Sequence, residues 1–307
     1  MAGEPTYGER VAYGPNDVCY RHPGAHSFTL CQRCGRTICA NCQVVSAVGV
    51  LCPECARQMQ PSGAKRATRK ARVTGRRIAA LDTPVTYAIM ALCVLVYLGQ
   101  LATHYFGSDE VTRALWYVPL YSLPPAELPP DLGFEPWRML TSTFTHSTGF
   151  IFHILFNMYA LWLFGRNLEE MLGKARFAAL YLIAGLGGSL GVMLWSYADP
   201  HALLTPTVGA SGAIFGVLGA TLVAYRAARV NITSLLVLVA INFGIGLIPG
   251  ANISWQAHLG GLIAGAATMW VLLKMRGRSA RSRGFVLGGI AAVLVLVSFA
   301  FFVVPVL

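Results

Sequence analysis

Charged side chains are scarce in this chain. Only 12% of the 307 residues are Asp, Glu, Lys or Arg, about half the share of an average soluble domain. Acidic residues are especially few, with 13 against 24 basic ones, while 55% of the chain is hydrophobic and the mean hydropathy is +0.56. This composition excludes an ordinary soluble globular protein. It predicts an all-α polytopic membrane protein.

The N-terminal 18 residues lack an apolar run and contain Glu4, Arg10 and Asp17, so we expect no cleavable signal peptide. The net charge of +11 is not a sign of nucleic-acid binding, because the basic residues lie beside apolar segments, as topology signals do. We therefore expect no nucleic-acid partner.

Cysteine is nearly absent beyond residue 55, where only Cys93 occurs. The other seven form four ligand pairs with one histidine: Cys19-x2-His22, Cys31-x2-Cys34, Cys39-x2-Cys42 and Cys52-x2-Cys55. Eight such ligands suffice for two tetrahedral zinc ions. A segment this short can scarcely build an apolar core, so metal binding would supply its folding energy. We predict two structural zinc ions here, with His26 as a spare donor outside the pairs.

The chain is predicted to have three parts, which are a zinc-binding domain over 1–60, a basic linker over 61–82 and a membrane domain over 83–307. A helical span needs about 20 apolar residues. The candidate spans are roughly 84–104, 150–167, 176–197, 207–225, 232–248, 256–273 and 285–305. The Pro-rich and aromatic segment between the first two predicts a structured region in the membrane interface.

Basic and uncharged loops alternate along the membrane part. Lys and Arg are concentrated in the linker and after the second, fourth and sixth spans, whereas residues 198–206 and 249–255 contain neither. The positive-inside rule then predicts a cytosolic N-terminus and, after seven spans, a C-terminus outside. Together with the expected lack of a signal peptide, this pattern suits a bacterial plasma membrane, with a eukaryotic membrane as the alternative.

Three polar positions are predicted to lie at one depth, a little below the outer surface. Ser211 precedes cytosolic Arg226 by 15 residues and His258 precedes Lys274 by 16, which correspond to roughly 22 and 24 Å of helix. His153 lies 13 residues before its own basic flank, or roughly 20 Å, and Asn157 follows one turn deeper. Spans far apart in sequence thus bring a serine and two histidines to the same level.

A serine and a histidine at one depth can act as a nucleophile and its base. The pairs Gly212/Gly216 and Gly261/Gly265 would let the two helices approach closely enough for that contact. An oxyanion formed on a peptide carbonyl needs preorganised donors, and His153 and Asn157 can supply N–H groups. No acidic residue lies in the spans at this level, so the site would be a dyad, with no cofactor for catalysis.

Each residue also has an interpretation without catalysis. A serine in a membrane helix commonly bonds back to the carbonyl four residues earlier. A membrane histidine can serve interhelical hydrogen bonding or a proton path, and Asn157 can join helices.

These motifs together resemble the rhomboid intramembrane serine proteases, over residues 84–305. The resemblance rests on Trp137-Arg138, Phe144-Thr145-His146, His153-Ile154-Leu155-Phe156-Asn157, Gly209-Ala210-Ser211-Gly212 and Ala257-His258-Leu259-Gly260-Gly261. It implies a rhomboid-like six-helix core with a seventh C-terminal helix. It also implies Ser211 as nucleophile, His258 as base, and His153 and Asn157 as oxyanion donors. The substrates would be single-pass membrane proteins cut near the outer face.

One departure from the rhomboid pattern concerns the gap between His146 and His153, which is about two residues longer than is common in the family and contains Ser147, Thr148 and Gly149. The geometry of this loop and the role of His146 stay open.

The N-terminal ligand pairs are similar to a B-box-type zinc-binding domain with interleaved sites. That resemblance implies that Cys19/His22 join Cys39/Cys42, and that Cys31/Cys34 join Cys52/Cys55. The last pair is cysteine here, where the family usually has histidine. Such a module would bind a protein partner or regulate the protease.

Besides an intramembrane protease embedded in membrane lipid, two other functions are compatible with the sequence. The first is a non-catalytic protein of the same fold that binds or retains client transmembrane helices. The second is a transporter, which would require intramembrane acidic residues or an internal repeat of spans, and the sequence contains neither.

Overall fold

The computed structural model describes residues 12–47, 49–59, 82–130, 132–248, 253–304 and 306. The chain divides into two compact units, residues 1–79 and 80–307. The predicted basic linker lies outside the described residues except for Asp82.

The first unit is small and built around its cysteines. Its elements are the antiparallel pairs β1 (Val18–Cys19) with β2 (His22–His26) and β3 (Val44–Ser46) with β4 (Gly49–Leu51), followed by α1 (Pro53–Met59). Apart from the thiols, its buried core contains little more than Ile38 and Leu51. So small an apolar core agrees with the expectation that another interaction stabilises this unit.

The second unit is helical. Within the described residues its helices are α2 (Pro84–Tyr105), α3 (Glu110–Leu115), α4 (Arg138–Thr141), α5 (Ile151–Ala160), α6 (Arg166–Leu172), α7 (Lys174–Trp195), α8 (Ser211–Ala227), α9 (Thr233–Gly246), α10 (Trp255–Lys274) and α11 (Ala280–Val297). A π-helical turn, Leu161–Gly165, joins α5 to α6, so the second predicted span is one continuous helical run. The fold is a polytopic helical membrane fold, with six core membrane segments and α11 as the seventh.

Four of these helices, α2, α7, α10 and α11, are long and apolar enough to cross a membrane, while α8 and α9 are apolar and shorter. The predicted spans differ from the helices by more than two residues in three places. The second span continues to Leu172 rather than ending near 167. The fourth helix begins at Ser211 rather than at 207, because Gly209 has a φ of +126°, which breaks the helical backbone. The last helix is Ala280–Val297 rather than 285–305, because the Ser279 side chain caps a basic first turn that hydropathy does not detect.

Glycines bring α8 and α10 into backbone contact. A Cβ added to Gly261 would overlap the carbonyl oxygen of Gly212, and one added to Gly265 would overlap that of Gly216. The two contacts advance along both helices in the same direction, so α8 and α10 run parallel. The close approach that these glycines predict is therefore present, and it places the first turns of both helices side by side.

The segment between α2 and α5 is ordered and has its own core. Tyr117 is fully buried and shares a hydrogen bond of 2.9 Å with the hydroxyl of Ser122. Its backbone exchanges two hydrogen bonds with Thr207, four residues before Ser211. Phe301, from the turn after α11, is buried in the same cluster. The segment is thus tied both to the chain entering α8 and to the end of the last helix.

A buried carboxylate joins the second membrane segment to the first. Glu169 on α6 is 1% exposed and accepts hydrogen bonds from the backbone N–H groups of Val85 and Thr86, at 2.9 and 2.7 Å. The Thr86 hydroxyl donates a third, at 2.7 Å. These donors belong to the first turn of α2, where the helix dipole favours a negative charge.

Candidate active site and metal centres

Ser211 and His258 lie within hydrogen-bond distance of each other. The Nε2 atom of His258 is 2.9 Å from the Oγ atom of Ser211. Ser211 is the first residue of α8, and His258 is in the first turn of α10, which begins after Ser254 caps the N–H of Ala257. The parallel packing of the two helices therefore brings both side chains to the same end of the unit.

The His258 imidazole is buried and stacked on an aromatic ring. Its side chain is 6% exposed and stacks on the ring of Phe215, with centroids 4.0 Å apart and planes at 6°. The Nδ1 atom is buried and has no hydrogen-bond partner among the described residues. Among the described residues, the imidazole is thus oriented by stacking and not by a carboxylate.

Sequence reasoning did not identify Phe215. The available signal was its position four residues after Ser211, which places both side chains on one face of α8.

His153 is held beside Ser211 in a defined tautomer. Its Nδ1 atom accepts a hydrogen bond of 3.1 Å from the backbone N–H of Ser147, so in the neutral ring the proton is on Nε2. A Cβ added to Gly209 would lie 3.0 Å from that Nε2 and 3.5 Å from the Ser211 Oγ. The Nε2–H donor and the hydroxyl therefore border the same small space, which only a glycine at 209 leaves open.

Asn157 lies one turn further along the helix from His153. It is 7% exposed, and its Nδ2 atom donates a 2.7 Å hydrogen bond to the backbone oxygen of His153. This bond uses one of the two amide hydrogens and leaves the second as a donor.

The segment between α4 and α5 places His146 next to His153. The His146 backbone N–H donates to Gln100 Oε1 and its carbonyl accepts from Gln100 Nε2, both at 2.9 Å. The ring is fully buried, with its centroid 5.3 Å from that of His153. The rings of Tyr97 and His146 are perpendicular, with centroids 6.4 Å apart.

The eight cysteine and histidine ligands of the first unit form two clusters. In each cluster the ligand atoms all lie within 4.8 Å of one another. The members are Cys19, His22, Cys39 and Cys42 in the first and Cys31, Cys34, Cys52 and Cys55 in the second. This is the interleaved grouping that the resemblance to a B-box-type domain implies. All the cysteines of the chain are free thiols, so disulfides do not account for the grouping.

The donor set fits a tetrahedral metal in both clusters. In the first, His22 Nδ1 lies 3.7, 3.4 and 3.3 Å from the sulfurs of Cys19, Cys39 and Cys42. Three thiolates with one imidazole, and four thiolates, are both common structural zinc sites. His26 takes no part, since its ring stacks on Tyr13 with centroids 5.1 Å apart.

In the second cluster, burial and neighbouring groups shift the pKa values of two thiols in opposite directions. Burial raises the pKa of Cys31, but hydrogen bonds from the backbone of Cys52, Arg33 and Cys34 outweigh it and lower the pKa to about 6. The side chain of Cys52, together with burial, raises the pKa of Cys55 to about 12. Thiolates so close together repel one another, and a bound cation would relieve that repulsion.

An arginine lies against the second cluster. The Nε atom of Arg36 donates to the sulfur of Cys34 at 3.2 Å, and its Nη2 atom lies 3.6 Å from the sulfur of Cys52. The same guanidinium pairs with Glu54 at 2.5 Å and covers the ring of Tyr20 at 4.2 Å. Its charge opposes the surplus negative charge that a four-thiolate site would have.

Residues 133–275 match the family described as the Rhomboid domain. The chain is 37% identical over 148 residues to RHOMBOID-like protein 4 of Arabidopsis thaliana, which covers 46% of this chain and 35% of that protein. It is 40% identical over 136 residues to Rhomboid protease GluP of Bacillus subtilis, covering 43% and 25% respectively. Rhomboid protease AarA of Providencia stuartii is 28% identical over 207 residues, covering 59% and 70%.

The chain thus spans 35% of the first of these relatives and 25% of the second. Two of the three are named proteases, which supports intramembrane protease activity at the level of the family. With the apolar helices, the match also makes the chain an integral membrane protein. These matches and the helical membrane fold identify residues 133–275 as a rhomboid domain and support placing the chain in the rhomboid family.

Proposed function

We propose that this protein is an intramembrane serine endopeptidase with Ser211 as nucleophile and His258 as general base. The observation that carries the proposal is the 2.9 Å contact between Ser211 Oγ and His258 Nε2. A serine hydroxyl is a weak nucleophile until a base within this distance accepts its proton.

The reaction follows the double displacement of other serine proteases. Ser211 Oγ attacks the peptide carbonyl carbon while His258 takes the hydroxyl proton. The resulting oxyanion accepts hydrogen bonds from the Nε2–H of His153 and from the second amide hydrogen of Asn157. The Ser211 backbone N–H is a third donor, because N–H groups in the first turn of a helix lack an intrahelical partner. His258 then donates its proton to the leaving amine, and water hydrolyses the acyl-enzyme.

The dyad needs no carboxylate if the ring of His258 is already oriented. Stacking on Phe215 fixes the plane of the imidazole, and the approach of α10 to α8 fixes its position. In a triad the carboxylate performs part of this orienting role.

The substrates proposed are single-pass membrane proteins, cleaved near the outer membrane face. The placement depends on the orientation inferred from charge, with a cytosolic N-terminus and a C-terminus outside, and on the position of Ser211 at the outer start of α8. The alternation of basic and uncharged loops is the basis for assigning a bacterial plasma membrane.

For the first unit we propose two structural zinc ions, one in each cluster. The fit rests on the two sets of four ligand atoms and on the Arg36 contacts to the second set. A domain held by metal in this way would present its surface to a protein partner of the protease.

A fluorophosphonate probe tests the nucleophile directly. The full chain in detergent is labelled as wild type, as Ser211→Ala and as the control Ser298→Ala, which removes a buried serine on the turn after α11. We expect labelling of the wild type and the control and none of Ser211→Ala. Equal labelling of Ser211→Ala would refute the assignment.

One alternative is a non-catalytic protein that retains client helices. It predicts no labelling of any variant, together with stable co-purification of an uncut transmembrane client with the wild type.

A further inference from the structure

The two ligand clusters of the first unit differ in the ligand that faces solvent. Each cluster buries three of its four ligands and exposes the fourth, which is His22 in the first cluster and Cys34 in the second. All eight cysteines lie among the described residues, and Cys34 is the one that is exposed. A cysteine is oxidised more readily when it is exposed, whereas an imidazole ligand offers no sulfur to oxidise. The two clusters therefore differ in their access to oxidants.

A second sulfur lies close to that of Cys34. The Sγ atoms of Cys34 and Cys52 are 3.9 Å apart, about 2 Å more than the length of a disulfide bond. Cys52 is fully buried directly before α1, and its sulfur accepts a hydrogen bond from the N–H of Cys55 at 3.4 Å. Cys34 thus supplies an exposed sulfur, and Cys52 a buried one that can react with the first oxidation product.

The guanidinium of Arg36 contacts the same two sulfurs. Its Nε atom donates to Cys34 at 3.2 Å, and its Nη2 atom lies 3.6 Å from the sulfur of Cys52. The ion pair with Glu54 holds the guanidinium in this position. A cation between two thiolates opposes their mutual repulsion, so Arg36 keeps the two sulfurs adjacent.

We propose that Cys34 and Cys52 form a peroxide-sensitive thiol pair, and that their oxidation makes the second cluster release its zinc ion. The inference rests on the structural zinc ions proposed above and is independent of the protease. The charge pattern places this unit in the cytosol, where disulfides are usually transient and redox-sensing. Cytosolic thiols would reduce the disulfide again by exchange, so the modification is reversible.

The reaction consumes one hydrogen peroxide for each disulfide. The Cys34 thiolate attacks one peroxide oxygen, the O–O bond breaks, and hydroxide leaves while Cys34 becomes a sulfenic acid. The Cys52 thiolate then attacks the Cys34 sulfur, forming the S–S bond and displacing a second hydroxide. Two protons from solvent convert both hydroxides to water. The two sulfurs lose two electrons in total, and the peroxide oxygens gain them.

Oxidation of this pair removes half of the ligands of the second cluster. The remaining Cys31 and Cys55 cannot complete a tetrahedral site alone. The apolar core of the unit contains little besides Ile38 and Leu51, so losing the metal removes a main source of stability. The first cluster exposes an imidazole instead of a thiol and should keep its ion.

Exchanging the two exposed ligands tests the proposal. Cys34→His gives the second cluster the donor set of the first, and His22→Cys gives the first cluster four thiolates. Both donor sets are common structural zinc sites, so each variant should still bind two ions. The full chain in detergent is treated with hydrogen peroxide as wild type and as each variant. A metallochromic dye follows zinc release, and mass spectrometry maps the disulfides.

We expect the wild type to release one of its two zinc ions and to form the disulfide between Cys34 and Cys52. A dithiol with added zinc should reverse both changes. Cys34→His should keep both ions under the same treatment, and His22→Cys should lose both. Release of zinc from Cys34→His at the wild-type rate, or a first disulfide that lacks Cys34, would overturn the proposal.

Failure of the zinc proposal would look different, because the wild type would then contain no zinc before peroxide is added. If the wild type holds two ions and peroxide releases neither, the redox inference is wrong and the zinc proposal stands. If a variant does not fold, the order in which peroxide modifies the wild-type cysteines decides. Modification of Cys34 first supports the proposal, and modification of a buried cysteine first excludes it.

Discussion

The imidazole of His258 lies flat against the ring of Phe215, with centroids 4.0 Å apart and planes at 6°. In the proposed dyad, this contact would have the orienting role that a carboxylate has in a triad. Its geometry is unusual among the ring contacts of the second unit, most of which are tilted or edge-on.

Replacing Phe215 with leucine should therefore leave His258 in place but orient its imidazole less well for accepting the proton of Ser211. Aromatic pairs contribute about 0.5–1.5 kcal/mol beyond their area, which corresponds to a loss of roughly twofold to thirteenfold. We expect this loss in kcat/KM and in the fluorophosphonate labelling rate alike, since both depend on His258. Phe215→Tyr, which keeps the stacked ring, should stay close to the wild type. An unchanged labelling rate in Phe215→Leu would show that stacking does not orient the base.

Gly261 should tolerate no side chain. A Cβ there overlaps the backbone oxygen of Gly212, which cannot rotate away, so Gly261→Ala must separate α8 from α10. We expect a loss of about 3 kcal/mol in the free energy of unfolding, measured by equilibrium unfolding in mixed micelles, together with loss of labelling at Ser211.

Gly289→Ala on α11 is the matched control, because nothing lies within 4 Å of its added Cβ. It should be neutral or stabilising by about 0.5–1 kcal/mol. Equal stabilities of the two variants would contradict the packing described here.

Glu169 should be needed as a cap for the start of α2. Glutamine presents an amide group to three donors at the start of α2, where the carboxylate accepts all of them. We expect Glu169→Gln to lower the free energy of unfolding by about 2 kcal/mol. Glu170→Gln, at the exposed neighbouring position, should change it little. If both variants unfold like the wild type, the capping contact contributes nothing to stability.

The two metal clusters should be separable by mutation. We expect elemental analysis of the purified full chain to find two zinc ions per chain, in keeping with its two ligand clusters. Cys34→Ser should retain the ion of the first cluster only. Cys93→Ser, which removes the buried cysteine of α2, should retain both. A strong chelator should make the 12–59 region sensitive to protease, since its apolar core is small. A metal-free wild type that resists proteolysis would rule out the zinc proposal.

The common depth of Ser211 and His258 could be predicted from the sequence. A helix rises by a fixed amount per residue, and basic residues mark one membrane face. The four ligand pairs were likewise predictable from spacing, whereas their interleaving came from the resemblance to a B-box-type domain. The hydrogen bond from Ser147 to His153 and the two hydrogen bonds between Gln100 and the backbone of His146 could not be predicted from the sequence. They join residues of ordinary type across non-periodic segments, and only tertiary packing brings them together.

Helix ends were also missed where hydropathy gives no signal. α11 begins with a capped and basic turn at Ala280, and α8 cannot begin before Ser211 because of the backbone at Gly209. Asn157 was predicted as an oxyanion donor, and its amide already bonds the His153 carbonyl through one hydrogen. Its catalytic role remains a prediction.

The central claim is that Ser211 and His258 cleave a substrate within the membrane. The most direct measurement reconstitutes the full chain in liposomes with a single-pass model substrate and maps the cut by mass spectrometry. We predict a cut near the end of the substrate span that faces the same side as the start of α8, and no product with Ser211→Ala or His258→Ala. Product formed at the wild-type rate by Ser211→Ala would contradict the account.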